Sequence, residues 1–256
     1  MKTALITGAS SGIGMELAKI FAANQTNLVL AARSEAKLIE LKNELAHYKV
    51  NILVVALDLS QPEAAISLFD YCNSKQLQID YLINNAGFGD YGMFVSGNWN
   101  KQEEMIRLNI QTLTHLTHLF LPSMVKRKYG RIMNVASTAA FQPGPLMSVY
   151  YATKAYVLSF SEAIASELEG TGVSVTALCP GPTESGFQNA AAMNESKIVK
   201  GRKLPTSKEV AEYAYKSMMK GKVVAIHGFL NALLATAIRF TPRFLVRKMV
   251  RVIQDK

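Results

Sequence analysis

Thr7-Gly8-Ala9-Ser10-Ser11-Gly12-Ile13-Gly14 is the stretch that decides the fold. It ends the strand-like run Ala4–Thr7, and the helix-like segment Met15–Ala23 follows directly. Glycines permit a tight turn and let the backbone approach a pyrophosphate, whose charge is favoured at a helix N-terminus. The spacing differs from the general Gly-x-Gly-x-x-Gly fingerprint, and a tight structural turn is the alternative. Its position between a strand and a helix predicts a dinucleotide-binding turn.

Strand-like and helix-like segments alternate through the rest of the chain. Helix-like segments of about ten or more residues separate most of the strands, which is typical of βαβ units. We therefore expect an α/β fold with a doubly wound parallel sheet and helices on both faces. The predicted strands are Ala4–Thr7, Asn27–Ala32, Val50–Leu57, Tyr81–Asn84, Arg131–Ala136, Val173–Cys179 and Lys222–Ile226.

Length and composition favour a single domain over residues 1–256. The chain has 256 residues, of which 49% are hydrophobic, enough for one sizeable core. We expect no secretory signal peptide and no membrane-spanning helix, because no run reaches about 18 uncharged apolar residues. Cys72 and Cys179 show neither metal spacing nor a disulfide framework, so we expect free thiols, no metal site and a cytoplasmic protein. The long irregular stretch Pro182–Leu204 is predicted to be a lid.

Tyr150 and Lys154 are four residues apart, a spacing that places both on one face of a helix. A neighbouring ammonium favours the phenolate, so we expect it to lower the pKa of the phenol below about 10 and create a usable proton donor. Tyr71 and Lys75 repeat the spacing, and we interpret them as a solvated helix pair. Only the second copy has a serine, Ser137, thirteen residues before it, directly after a strand-like run.

Arg33 ends the run Leu30-Ala31-Ala32-Arg33-Ser34, where a carboxylate would hold the ribose 2′-hydroxyl of NAD. The arginine fork suits phosphate oxygens, so the sequence predicts NADP(H) in preference to NAD(H). The alternative is that Arg33 only begins a helix. Asp58-Leu59 follows the third strand, where an adenine would lie, and the alternative is that Asp58 is the N-cap of a following turn.

Taken together, these motifs resemble the short-chain dehydrogenase/reductase family over about residues 3–226. The motifs are Thr7–Gly14, Asn84–Gly87, Asn109, Ser137, Tyr150-x-x-x-Lys154 and Pro180-Gly181. The resemblance implies a Rossmann-like, seven-stranded parallel sheet and an NADP(H)-dependent oxidoreductase that interconverts carbonyls and alcohols. It also implies a homodimer or homotetramer built through the helices that hold Asn109 and Tyr150.

The resemblance implies four catalytic residues. Tyr150 would be the acid/base, and Lys154 would lower its pKa and hold the nicotinamide ribose. Ser137 would hydrogen-bond the substrate carbonyl, and Asn109 would hold a water of a proton relay. The first three roles agree with what hydride transfer requires of a protein. Without the resemblance, Asn109 would be an ordinary polar residue of the helix near Met105–Leu121, with no predicted function.

Cofactor-binding residues are also implied, at the ends of the strands. Ser185 replaces a threonine common in the family, and a hydroxyl is kept; Ala136 replaces a serine before Ser137. The predicted cofactor-binding residues are Gly8, Ser10, Ser11, Gly12, Ile13, Gly14, Arg33, Asp58, Leu59, Asn85, Ala86, Gly87, Tyr150, Lys154, Pro180, Gly181, Thr183 and Ser185.

Apolar residues near the predicted strand ends favour a lipophilic or aromatic substrate. The alternative is that they are ordinary core. The candidates are Phe88, Tyr91, Met93, Phe94, Phe141, Met147 and Phe187. A different class of function is also open, in which the protein binds NADP(H) without turnover, as a sensor or scaffold at a membrane surface or with a protein partner.

The C-terminal extension 228–256 carries much of the formal net charge of +9. Residues 239–256 hold six Lys/Arg and one acid, with Arg243, Arg247 and Arg251 at every fourth position. Such a basic amphipathic helix is able to lie on an anionic membrane surface, and the alternative is a helix packed on its own domain or a partner subunit. No aromatic residues alternate with the cations as in strand-binding modules, so we expect no nucleic acid partner.

Overall fold

A parallel sheet of seven strands forms the centre of the molecule. The computed structural model describes residues 1–186 and 204–254. The strand order is β3-β2-β1-β4-β5-β6-β7, and every neighbouring pair is parallel. The strands are β1 (Thr3–Thr7), β2 (Asn27–Ala32), β3 (Ile52–Ala56), β4 (Tyr81–Asn84), β5 (Gly130–Val135), β6 (Val173–Cys179) and β7 (Val224–Ile226). Each predicted strand forms, so the predicted α/β fold is confirmed.

Helices cover both faces of the sheet. They are α1 (Gly12–Ala23), α2 (Glu35–Glu44), α3 (Ala64–Ser74), α4 (Trp99–Ile106), α5 (Leu113–Lys126), α6 (Ser148–Glu167), α7 (Ser207–Met219), α8 (Phe229–Ile238) and α9 (Arg243–Gln254). The helix predicted near Met105–Leu121 is longer and less regular than expected, because a π-helical segment, Arg107–Thr112, joins α4 to α5.

Strand β1 shows why the strand sequences are almost continuously apolar. Ala4 and Ile6 pack with α1 on one face, while Leu5 packs with the cluster of α3 and α5 on the other. Because all three side chains are fully buried, β1 has no water-facing side, as expected of a parallel strand covered by helices on both faces.

The strand order reverses between β1 and β4, and this is where a crevice opens at the carboxyl ends of the strands. The Thr7 hydroxyl joins the two strand ends: it donates to the Ile83 carbonyl and accepts from the backbone N–H groups of Asn85 and Ala86 at 3.0 Å each. The segment after β4 is thereby held beside the glycine-rich turn.

Candidate active site

The glycine-rich turn between β1 and α1 has the backbone that its glycines predict. Gly8 and Gly12 have φ of +67° and +58°, a region that favours glycine. The Asn85 amide donates to the carbonyls of Thr7, at 2.9 Å, and Gly8, at 3.2 Å, which fixes the turn. Ser11 is the N-cap of α1 but makes no side-chain capping bond. The first N–H groups of α1 therefore suit an anionic group.

Tyr150 and Ser137 meet at the carboxyl end of β5. Tyr150 lies in the first turn of α6 and is 9% exposed, and its phenol is close enough to the Ser137 hydroxyl for that hydroxyl to act on its pKa. The Lys154 ammonium lies 5.7 Å from the centre of the Tyr150 ring and donates to the Val135 carbonyl at 2.7 Å. The structure thus brings the predicted phenol, hydroxyl and cation together.

Ser137 is held in place by the neighbouring strand end. Its hydroxyl oxygen accepts from the Ala139 N–H at 3.1 Å, and the hydroxyl lies 3.4 Å from the Pro180 carbonyl as donor. Pro180 also accepts from the Thr138 N–H at 2.9 Å. The segment after β6 therefore positions the serine that faces Tyr150.

Burial governs the pKa values of both Tyr150 and Lys154. Burial raises the pKa of the Tyr150 phenol above its ordinary value of 10.0, and the neighbouring Ser137 hydroxyl only partly opposes this. Burial also lowers the pKa of Lys154 from 10.5 to about 8. The predicted lowering of the Tyr150 pKa was wrong, because both groups leave water and Lys154 donates to Val135. At neutral pH Tyr150 is a neutral phenol, the form that is able to donate a proton.

The lowered pKa of Lys154 is expected to make stability depend on pH. Between pH 8 and 10.5 the unfolded chain binds a proton at Lys154 that the folded protein does not bind. The contribution of Lys154 to the free energy of unfolding therefore rises with pH through this window, on the order of 3 kcal/mol. The raised pKa values of the buried Cys72 and Cys179 thiols act in the opposite direction above pH 9 in wild type and variant alike, so urea unfolding of wild type and Lys154→Met at pH 7 and pH 10 isolates the Lys154 contribution as their difference. A constant difference between variant and wild type across this range would contradict it.

Asn109 acts on the wall of the site from behind. It is 1% exposed in the π-helical segment, and its amide nitrogen donates to the Phe88 carbonyl at 3.0 Å and to the Thr153 hydroxyl at 3.1 Å. Its amide oxygen accepts from the Phe88 N–H at 3.2 Å. The side chain therefore fixes the backbone of Phe88 and links it to α6. The water-holding role implied by the resemblance stays a prediction.

Arg33 marks the other end of the site, after β2. It is exposed, and its guanidinium forms no hydrogen bond or ion pair with the residues that the structure describes. Burial alone would raise the pKa of the Asp58 carboxyl, but hydrogen bonds from Ser60 and Gln61 and the charge of Arg33 outweigh this effect. The pKa of Asp58 is therefore lowered. Asp58 accepts from the N–H and the hydroxyl of Ser60. It caps the turn that follows β3, as the alternative predicted, while the N-cap of α3 is Glu63.

A cavity of about 740 Å³ extends along the carboxyl ends of the strands. Its volume lies within the usual range of ligand sites, about 300–1,000 Å³. All the predicted site residues except Gly14 and Asn109 line it. Gly14 lies behind the turn, because a Cβ there would lie 2.5 Å from the Gly8 carbonyl oxygen.

The lining residues fit a nicotinamide dinucleotide. One end of the cavity carries Arg33 and Lys37, the middle carries the turn at the N-terminus of α1, and the other end carries Tyr150 and Lys154. These groups match a ribose, a pyrophosphate and a reacting ring in the order that such a molecule presents them.

Several lining residues were not predicted from the sequence, among them Lys37 and Tyr151. Lys37 lines the cavity beside Arg33, and its position four residues later, in the first turn of α2, was the available signal. Tyr151 lines the cavity beside Tyr150, and its hydroxyl is hydrogen-bonded to the Gln254 amide of α9. No local pattern reveals that contact, because it joins residues far apart in the sequence.

The predicted substrate-side residues have separate outcomes. Phe88 and Met147 line the cavity, whereas Met93 and Phe94 are 50% and 63% exposed and do not line it. Tyr91 donates to the Gln254 carbonyl at 2.6 Å. Phe141 packs under the sheet edge with Val157 and Leu158. Phe187 and most of the predicted lid Pro182–Leu204 lie outside the described residues.

Other predicted features lie away from the cavity. Tyr71 packs against the core from α3, while Lys75 is exposed just beyond the helix end, and neither lines the cavity. Cys72 and Cys179 are both buried free thiols. Among residues 1–186 and 204–254, no group of three or more His, Cys, Asp or Glu is placed to hold a metal ion. Within the same ranges, the helices are too short or too polar to span a bilayer.

Comparisons with known proteins agree with this architecture. A family model described as short chain dehydrogenase matches residues 2–196. The chain is 36% identical to a short chain dehydrogenase of Pseudocercospora fijiensis, over 72% of this chain and 60% of that protein. It is 30% identical to the very-long-chain 3-oxoacyl-CoA reductase of Homo sapiens, over 96% of this chain and 78% of the relative.

A similar solved structure is that of a short-chain dehydrogenase from Sphingobium yanoikuyae in complex with NADPH. It superimposes with a TM-score of 0.86 at 31% identity and covers 96% of each chain. The chain spans less than two thirds of the length of several curated relatives. The family model, which matches most of the chain, and these similarities show that the chain belongs to the short-chain dehydrogenase/reductase family.

Proposed function

We propose that this protein is an NADP(H)-dependent oxidoreductase that interconverts a carbonyl compound and a secondary alcohol. The observation that carries the proposal is the position of the Tyr150 phenol next to the Ser137 hydroxyl and the buried Lys154, in the lining of one cavity. The nicotinamide cofactor, when bound, supplies or accepts the hydride. The residues of this chain bind and orient the two reactants and move the proton.

The proton chemistry follows from the environment of Tyr150. In the direction of reduction the neutral phenol donates its proton to the carbonyl oxygen, and in the direction of oxidation the phenolate takes it back. Ser137, held by Ala139 and Pro180, hydrogen-bonds the same oxygen and orients it. Lys154, with a pKa of about 8, is largely an ammonium at pH 7 and supports the charge that Tyr150 acquires.

Preference for NADP(H) is supported by the end of the cavity near β2. Arg33 and Lys37 both line that end, and no carboxylate takes the place of Arg33 directly after the strand. A ribose 2′-phosphate would receive the arginine fork there, while a 2′-hydroxyl would lack the carboxylate that usually accepts from it.

Arg33→Ala is expected to weaken NADPH binding by about 10- to 100-fold, the loss of one or two charge-assisted hydrogen bonds. NADH binding should change by less than about threefold on the same physical grounds, because NADH has no 2′-phosphate. Titration of both cofactors by fluorescence measures the two affinities. Lys42→Ala, which removes an exposed cation of α2 outside the cavity, is the control. Equal losses for NADPH and NADH would contradict the assignment.

A lipophilic or aromatic substrate is supported by the walls at the Tyr150 end. Phe88, Met147 and Tyr151 line the cavity there, and they belong to an apolar cluster that includes Val246 and Val250 of α9. The similarity to a reductase named for very-long-chain 3-oxoacyl-CoA points in the same direction. Apolar walls with few polar groups select an apolar body around the reacting carbonyl.

The organisation of the protein completes the proposal. We propose that residues 1–256 act as one domain, with 228–256 as an extension that packs on it through α9. A homodimer or homotetramer through α5 and α6 is supported by Tyr156, which is 39% exposed on α6 and stacks on Phe160. The free thiols of Cys72 and Cys179 support a reducing, cytoplasmic location.

A further inference from the structure

Helix α8 presents an apolar face to solvent. Phe229, Leu230, Leu233 and Leu234 are between 54% and 82% exposed. Their spacing places them on one side of the helix, and Ala235 is its buried residue. A solvent-facing helix surface normally carries polar side chains, and a contiguous apolar surface of this kind marks an interaction site.

Helix α9 carries a second exposed apolar side while it packs on the protein. Val246 and Val250 are 4% and 5% exposed and pack against the cluster of Tyr150 and Tyr151. A second face of α9 is apolar and exposed. Its residues, at the i, i+4, i+7 spacing of one helix face, are 41% to 68% exposed: Leu245, Met249 and Val252. The prediction of a helix packed on its own domain therefore describes only one side of α9, because a second apolar side stays in solvent.

Cations border the exposed apolar side chains. Arg243, Arg247 and Arg251 occupy one side of α9, and Lys248 is also exposed. No Asp or Glu occurs between positions 228 and 254. None of these four cations forms an ion pair with a residue that the structure describes. We call the exposed side chains of α8 and α9 together the C-terminal face.

We propose that the C-terminal face docks on the surface of an anionic lipid bilayer. Its apolar side chains suit the boundary between headgroups and acyl chains, and its guanidinium groups suit lipid phosphates. The helices are too short to span a bilayer, so they lie on it. A second copy of the chain is a poor occupant, because a two-fold contact would bring the arginines of one face against those of the other.

Docking would bring the Tyr150 end of the cavity close to the bilayer. The inner side of α9 is part of the cluster that contains Tyr150. The C-terminal end of α9 is tied to the same region, since the Tyr91 hydroxyl donates to the Gln254 carbonyl and the Gln254 amide is hydrogen-bonded to Tyr151. The helix that carries the proposed lipid contacts is therefore fixed against the site and is not a loose tail.

The test is co-sedimentation of the full chain with vesicles of phosphatidylcholine alone and of equimolar phosphatidylcholine and phosphatidylglycerol. Wild type should bind the anionic vesicles, and less at high salt. Arg247→Gln/Lys248→Gln should weaken binding roughly 30-fold, from two lost cations. Lys42→Gln/Lys126→Gln removes two exposed lysines elsewhere and should bind as wild type does.

The apolar contribution is tested separately. Leu230→Ser/Leu233→Ser changes two exposed side chains, and it should abolish sedimentation without lowering the thermal unfolding midpoint, which circular dichroism measures. Equal binding by wild type and both face variants would overturn the proposal, as would no binding by wild type. Analytical ultracentrifugation of wild type and the serine variant tests the remaining possibility. If wild type is a dimer that does not bind vesicles, and the serine variant is a monomer, the C-terminal face is an interface with a second copy and the proposal is overturned.

Discussion

Tyr150→Phe is expected to lower kcat for carbonyl reduction by about 10²- to 10⁴-fold, the contribution typical of a positioned general acid. The change removes only the hydroxyl that lies next to Ser137. The ring remains packed in its apolar cluster. Because the change creates no cavity and buries no unpaired charge, affinity for NADPH should stay within about threefold of wild type. Steady-state consumption of NADPH with a ketone that wild type reduces, and fluorescence titration of NADPH, measure the two quantities.

Tyr156→Phe is the matched control for this change. It removes a phenol hydroxyl from the same helix, but that hydroxyl contacts Thr114 on the surface, and kcat should be unchanged. Wild-type turnover by Tyr150→Phe would show that another group donates the proton. If the wild type itself binds NADPH and turns over no carbonyl compound, the protein belongs instead to the class of NADP(H)-binding sensors or scaffolds.

The fold was predictable because its signal is local. Most of the strands are buried on both faces, so they read as short apolar runs, and the boundaries observed for β2, β4 and β6 are those predicted. The glycine-rich turn and the Tyr150 and Lys154 pair were also local patterns. Their meeting at one cavity follows from parallel strands, whose carboxyl ends lie at the same edge of the sheet.

What the sequence did not reveal depends on contacts between distant segments. The spacing of Tyr150 and Lys154 places them on one helix face, but it does not show that both are buried or that Lys154 donates to Val135. The predicted direction of the shift in the pKa of Tyr150 was therefore wrong, because burial raises it. Asn109 has no local signal because its partners, Phe88 and Thr153, lie on other elements.

The C-terminal helix shows the same limit in a different form. Its amphipathic pattern was clear, yet two interpretations stayed open, because a helical pattern identifies an apolar side and not the surface that covers it. The structure shows that the apolar half of α9 is divided: Val246 and Val250 pack inward while Met249 and Val252 remain exposed. One helix therefore serves the core and an outer surface together.

Gly14→Ala is expected to have the largest effect on cofactor affinity among single-methyl changes in the turn. The added Cβ would lie 2.5 Å from the Gly8 carbonyl oxygen and would also overlap the Asn85 amide nitrogen. Neither neighbour is able to move freely, because Asn85 is hydrogen-bonded to the carbonyls of Thr7 and Gly8. Overpacking of this kind costs about 1–3 kcal/mol, so NADPH affinity should fall about 5- to 150-fold as the turn shifts.

Gly97→Ala is the control for this substitution. Gly97 is exposed outside the cavity, and its added Cβ would meet nothing nearer than 3.4 Å. Isothermal titration with NADPH and urea unfolding separate the two consequences of Gly14→Ala. Because the turn is the contact between β1, α1 and the segment after β4, lower stability and weaker NADPH binding should appear together. Wild-type affinity in a Gly14→Ala variant would mean that the turn does not hold the pyrophosphate.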